Sequence, residues 1–259
     1  MLATVNDLVK LLEELMPSNL AEDWDNVGLM LGRKGKTVKK ILLALDLSKE
    51  VVEQAVAQKI DLIITHHPAI FKKLKRVVDN DWQQELLLTL AENGIAVYSA
   101  HTNLDCVSTG VNDVLAKLLK LDDIEVLDDS NGLGRIGVVE EASLAEYAQV
   151  VKAALNADYV VVADAGKKVH KVAVCGGAGS DLIDLALTKG ADTLVTGDVK
   201  YHSAQQAVFS GLNIIDAGHQ PTELPVLEKL ADRLSLRLVE RDMDVVVNVA
   251  KETLILRLV

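Results

Sequence analysis

Aromatic side chains are scarce in this 259-residue chain: 3% of residues, with only two Trp and two Phe. Packing must rest on aliphatic groups, which supply most of the 49% hydrophobic content. A chain this apolar and this poor in large rings is expected to bury further aliphatic surface between subunits. Cysteine is sparse as well. Cys106 and Cys175 lie far apart, so nothing supports a disulfide framework, and a reducing cytosol is the default expectation. No apolar run approaches the roughly 20 residues needed to span a bilayer. Met1–Asn6 lacks the basic-then-apolar pattern of a secretion signal, so a cytoplasmic protein is expected. A basic face is also missing. The formal net charge is −11 and both halves are acidic, which argues against duplex nucleic acid as the main partner.

What the chain does contain is organised around Asp61-Leu62-Ile63-Ile64-Thr65-His66-His67-Pro68. The large aliphatics read as a fully buried strand. Pro68 cannot donate to a sheet ladder and stops it. Before this strand, Leu8, Leu11, Leu12 and Leu15 form a helical stripe with Thr4 as N-cap and Asp7 three residues on. Ala21–Gly32 reads as a loop anchored by Trp24, with Asp25 and Asn26 as turn formers. The pattern predicts strands at Ile41–Leu45 and Ile95–Ala100, and helices over Ser48–Gln58, Trp82–Glu92 and Gly110–Leu119. Asp122–Gly137, acidic and glycine-rich, reads as the boundary between a first half (1–125) and a second (126–259).

The second half repeats the theme. Strands are expected near Ile136–Val139, Tyr159–Ala163, Lys171–Cys175, Thr193–Thr196 and Asn213–Asp216. Helices are expected near Ser143–Leu155, Asp181–Lys189, Ala204–Phe209 and Pro221–Leu234. Arg237–Val239, Val245–Val249 and Leu254–Val259 read as closing β-segments. Lys40–Phe71 superposes on Lys171–His202 without a gap, Asp61 on Asp192 and Thr65 on Thr196. The fold class is therefore α/β: two similar halves, each a mixed sheet flanked by helices.

Five of the six histidines gather within or just after strand ends. His66 and His67 follow one strand, His101 and Asp105 a second, and His219 with Glu223 a third, while His202 follows Thr193–Thr196. Open α/β sheets place ligands at such ends. Any single histidine there can be a polar cap of the sheet; the set points to metal. Imidazole with carboxylate suits zinc, manganese, iron or nickel, and no thiolate is among these positions. Two divalent ions bring four positive charges against two from Asp105 and Glu223, leaving room for a hydroxide or an anionic substrate. Tyr201-His202 could contact substrate or donate a proton. Gly176-Gly177-Ala178-Gly179 suits close strand–helix packing better than a phosphate turn, because no Lys-Ser/Thr follows. Lys72, Lys73, Lys75 and Arg76 could guide a phosphate towards His66 and His67, though a solvated charge run also fits.

Six ordered motifs carry a family resemblance: WDNVGLMLG at Trp24–Gly32, THHP at Thr65–Pro68, SAHTNLD at Ser99–Asp105, VAVCGGAGSD at Val172–Asp181, TGDVKYH at Thr196–His202 and DAGHQPTE at Asp216–Glu223. Together they resemble the GTP cyclohydrolase 1 type 2 family, also called the Ngg-interacting-factor-three-like proteins, in the short form without an inserted middle domain. The resemblance implies a two-part α/β fold with two divalent metal ions per subunit held between the halves by His66, His67, Asp105, His219 and Glu223. It also implies a homohexameric ring. By motif His101 sits close to the metals. His202 and His101 are the candidate proton-transfer residues. The implied activity is hydrolysis of a nucleotide or other phosphorylated small molecule by metal-activated water. The alternative is a non-catalytic, metal-binding ring acting as a binding or regulatory protein. A catalytic site keeps an exchangeable coordination position, whereas a structural site is closed.

Overall fold

A computed structural model describes residues 2–257. The chain divides into two compact units, Met1–Val107 with Leu227–Thr253, and Ser108–Val226 with Leu254–Val259. In chain order come β1 (Ala3–Thr4), α1 (Val5–Leu15), β2 (Gly28–Leu31), β3 (Thr37–Val38), β4 (Lys40–Ala44), α2 (Lys49–Gln58), β5 (Leu62–Thr65), α3 (Trp82–Glu92), β6 (Ala96–Ser99) and α4 (Thr102–Cys106). Next are α5 (Val111–Leu118), β7 (Asp122–Val126), β8 (Arg135–Ala142), α6 (Leu144–Ala154), β9 (Val161–Ala163) and β10 (Val169–Val174). Then follow α7 (Ile183–Thr188), β11 (Thr193–Thr196), α8 (Tyr201–Phe209), β12 (Asn213–Asp216) and α9 (His219–Glu223). The last two are α10 (Val226–Glu240) and β13 (Val246–Val249).

The first unit is built on a five-stranded sheet in the order β13-β4-β5-β6-β2. Only the edge strand β2 is antiparallel. Leu42, Ile63 and Val97 of the sheet pack against Val51, Val52, Ala55, Leu86 and Leu90 of α2 and α3. The consequence for function is directional. Parallel β4, β5 and β6 all deliver their carboxyl ends to one edge of the sheet, where Asp46, His66-His67 and His101 emerge.

The second unit has a six-stranded sheet, β7-β8-β10-β11-β12-β9, in which β10, β11 and β12 are parallel. One core joins Leu115, Tyr147 and Val151 of α5 and α6 to Val174, Val195 and Ile215. Another joins Ile183, Ala186 and Ala207 of α7 and α8 to Ala173, Leu194 and Ile214. Both faces are thus covered, as parallel strands require.

The internal repeat holds at atomic detail. Ile41 pairs with Leu62 and Leu42 with Ile63, while Val172 pairs with Thr193 and Ala173 with Leu194. An aspartate closes each unit the same way. Asp61 Oδ2 accepts from the backbone N–H groups of Lys39 and Lys40, and Asp192 Oδ2 from those of His170 and Lys171.

Four readings of the sequence change. Asp122–Gly137 is a hydrogen-bonded β-hairpin inside the second unit, β7 and β8 pairing antiparallel. Its Asp, Ser, Asn and Gly close the turn: the N–H groups of Ser130 and Leu133 donate to the Asp128 and Asn131 side chains. In the chain the first unit runs to Val107 and the second begins at Ser108, and the C-terminal α10 and β13 return to the first unit. Arg237–Val239 is helical, because Leu227, Leu230, Leu234 and Leu238 continue a buried stripe at helical spacing. Residues 254–257 form no strand, and Leu258 and Val259 lie outside the described residues. Trp24, expected to anchor its loop, is 60% exposed; the buried side chain there is Asp25.

Candidate metal centre

Strand ends set the positions of the histidines in the first unit. His66 and His67 leave β5 with their N–H groups bonded to Ala44 and Leu45 carbonyls. This continues the ladder one step beyond the strand and fixes both Cα positions. Ring centroids lie 5.0 Å apart for His66 and His67, 5.3 Å for His66 and His101, and 5.7 Å for His67 and His101. One ring nitrogen from each lies within 4.8 Å of the other two. Asp105, on the one-turn helix α4, places Oδ1 3.6 Å from His66 Nε2.

Hydrogen bonding at the opposite nitrogen fixes each ring. His66 Nδ1 lies 2.9 Å from the Ala100 carbonyl oxygen, which can only accept. His67 Nδ1 lies 2.9 Å from Asp46 Oδ1, and His101 Nδ1 2.9 Å from Asp25 Oδ1. Each Nδ1 therefore carries the proton of the neutral ring and Nε2 carries the lone pair. Asp25 is itself held by the backbone N–H and the hydroxyl of Thr102. Burial pushes its carboxyl up, but the bonds from His101 and Thr102 outweigh burial and hold it well below the usual range. Glu252 accepts the N–H groups of Leu45 and Asp46, clamping the turn that carries Asp46.

The second unit uses the same device. His219 Nδ1 lies 2.8 Å from Asp198 Oδ2, and His219 Nε2 lies 3.3 Å from Oε2 of the buried Glu223 one turn along α9. The glycine-rich turn at Gly176–Gly179 is explained here. A Cβ on Gly177, at φ +63°, would lie 2.2 Å from Glu223 Oε1 and 3.2 Å from His219 Nε2. Gly177 N–H donates to Thr222 Oγ1 at 3.0 Å, tying the turn to α9. The turn is a backing plate for these two side chains.

The structure thus gathers His66, His67, His101 and Asp105 in one unit and His219 with Glu223 in the other. His202 lies exposed on the first turn of α8 with its ring 5.3 Å from that of Tyr201. Sequence reasoning missed the three aspartates that orient the rings. A signal for two of them exists: Asp46 and Asp198 each stand two residues beyond a parallel strand and 21 residues before their histidine. Nε2 lone pairs and carboxylate oxygens facing one another, with each Nδ1 bonded behind, are the donor set and the outer support that a borderline divalent metal takes.

Comparison with known proteins places the chain. Residues 3–253 match the description Duf34/NIF3 (NGG1p interacting factor 3). The chain belongs to this family. A Clostridium perfringens protein named GTP cyclohydrolase 1 type 2 homolog is 37% identical over 255 residues, covering 96% of each chain. Among solved structures, the Bacillus cereus protein related to NIF3 superposes with a TM-score of 0.94 at 26% identity over 100% of both chains. Reduced HcgD from Methanocaldococcus jannaschii gives 0.84 at 32% identity, covering 97% of this chain and 99% of its own. The Duf34/NIF3 fold of two mixed sheets flanked by helices is therefore the fold of this chain. No helix among the described residues is long and apolar enough to cross a membrane.

Proposed function

We propose that this Duf34/NIF3 chain is a metal-dependent hydrolase that binds two divalent ions through His66, His67, Asp105, His219 and Glu223 and acts on a nucleotide or other phosphorylated small molecule. The observation that carries the reading is the orientation of the rings: each of His66, His67, His101 and His219 has Nδ1 fixed by an oxygen acceptor. A histidine that merely caps a strand needs no such support, whereas a ligating one is oriented and made more basic by it. Bound ions would supply Lewis acidity and, by acidifying water, a nucleophile at neutral pH. The chain's own residues hold the donors rigid. His101, backed by Asp25, and His202, exposed on α8, are the groups available to move a proton. The names of the relatives support a GTP cyclohydrolase 1 type 2 homolog.

The test is metal analysis by plasma mass spectrometry, followed by an unbiased metabolite screen of wild type against His67→Ala. About two ions per chain and at least one metabolite consumed only by wild type are expected. Full metal content in Asp105→Ala and Glu223→Ala alike would remove the site. Full metal loading with no consumed metabolite would favour the binding-protein alternative.

A further inference from the structure

We infer that Trp24, Phe71 and the basic run Lys72–Arg76 form a recognition arm for a ligand that joins a planar aromatic ring to phosphate, presented beside His101. The inference rests on the hydrolase reading for its position, yet its evidence is separate. The chain has two Trp and two Phe, and one of each meets here, both facing solvent: Trp24 is 60% and Phe71 51% exposed. Large rings are costly to leave in water. Trp24 touches Phe71 edge-on at 6.0 Å between centroids and His101 edge-on at 6.0 Å, with interplanar angles of 69° and 75°. His101, Trp24 and Phe71 therefore make a continuous row of rings leading out from His66 and His67. With 60% of its surface in solvent, Trp24 keeps area on which a planar ring could stack.

The row ends where the charge changes sign. Lys72, Lys73, Lys75 and Arg76 are four exposed cations within five residues of a chain whose net charge is −11. Three cations of this unit that pair are Lys36, with Asp61, and Arg237 and Arg241, both with Glu14. None of the four has a carboxylate partner among the described residues. The arm is anchored at its base, since Asn26 Nδ2 donates to the Ile70 carbonyl and Ala69 N–H to Ser99 Oγ. Stacking on a ring while cations track phosphate is a general mode for nucleotide recognition. One row of rings plus one cationic run fits a single nucleotide.

The test uses the metal-replete protein carrying Trp82→Phe, so that Trp24 is the sole tryptophan reporter. Guanosine and adenosine triphosphates, inorganic triphosphate and free guanosine are titrated by fluorescence and calorimetry. Both nucleotides should quench Trp24 and bind more tightly than triphosphate or nucleoside. Trp24→Leu should weaken nucleotide binding about tenfold or more with melting temperature and metal content unchanged, and Trp24→Phe should restore part of it. Changing the four cations to Gln should weaken binding and flatten its dependence on salt. Inorganic triphosphate binding as tightly as the nucleotides would overturn the inference. So would unchanged affinity in Trp24→Leu, no binding at millimolar nucleotide, or tighter binding of a single-stranded oligonucleotide. Metal content and turnover are read separately, so a failed arm leaves the metal reading standing, and a metal-free protein that still quenches leaves the arm standing.

Discussion

At the scale of single residues, the site depends on side chains that would never touch a metal. Asp25 has a fully buried side chain and joins His101 to the start of α4 through three hydrogen bonds. Asp25→Asn keeps the shape but replaces an acceptor oxygen with a donor nitrogen. Because Asp25 also fixes the start of α4, which carries the proposed ligand Asp105, metal affinity measured by chelator competition should fall about tenfold, while Asp23→Asn, two residues away and exposed, should change nothing. Gly177 offers a second handle. Gly177→Ala should cost about 1–2 kcal/mol for its left-handed backbone and, through the collision with Glu223, reduce metal content too. Gly166→Ala, at φ +73° with open space around its Cβ, should show the backbone cost alone in denaturant melts. The histidines of the site were legible in the sequence because imidazole is rare and its clustering stands out. The supporting aspartates were not. They are among 38 acidic residues, and their partners lie 21 or 76 positions away.

At the scale of elements, local chemistry was readable and distant pairing was not. Thr4 and Asp7 form the expected capping box, and Ser143 with Glu146 forms another. The strands Thr193–Thr196 and Asn213–Asp216 stand where aliphatic runs placed them. The hairpin of β7 and β8 read as a linker because turn formers are the same residues in both settings. β13 joins β4 across 206 residues of chain, Val246 pairing with Lys40, which no local pattern encodes. The Asp61 clamp gives a pH prediction. Burial raises the Asp61 carboxyl, but the N–H groups of Lys39 and Lys40 and the Lys36 ammonium lower it further, so its folded pKa lies below the model-compound 3.8. Its stabilisation is then present above that value and lost as pH falls through the folded pKa. Asp61→Asn should cost about 1 kcal/mol at pH 7, kept small by solvent screening. The melting difference from wild type should close as the pH drops below about 4; a gap that stays constant to pH 3 would refute the clamp.

At the scale of the whole molecule, scarcity of rings in the core returns as exposure at the surface. β9 is an edge strand of the six-stranded sheet, and its Val161 and Val162 are exposed beside Tyr201 and Phe209. These four line one side of a cavity of about 530 Å³ with Val199, Ala204 and Val208. An open edge with β-branched residues invites further pairing or aggregation unless something covers it. Self-association, proposed as a hexamer on the strength of the family resemblance, would cover it without a foreign partner. Light scattering at micromolar concentration should return about six times the 28.0 kDa of one chain. Val162→Lys and Phe209→Asp place charge on the exposed patch and should shift the mass downward, with metal per chain and the far-ultraviolet spectrum unchanged. A monomeric wild type would end the assembly proposal. A hexamer indifferent to both substitutions would keep the assembly and free this face for another role.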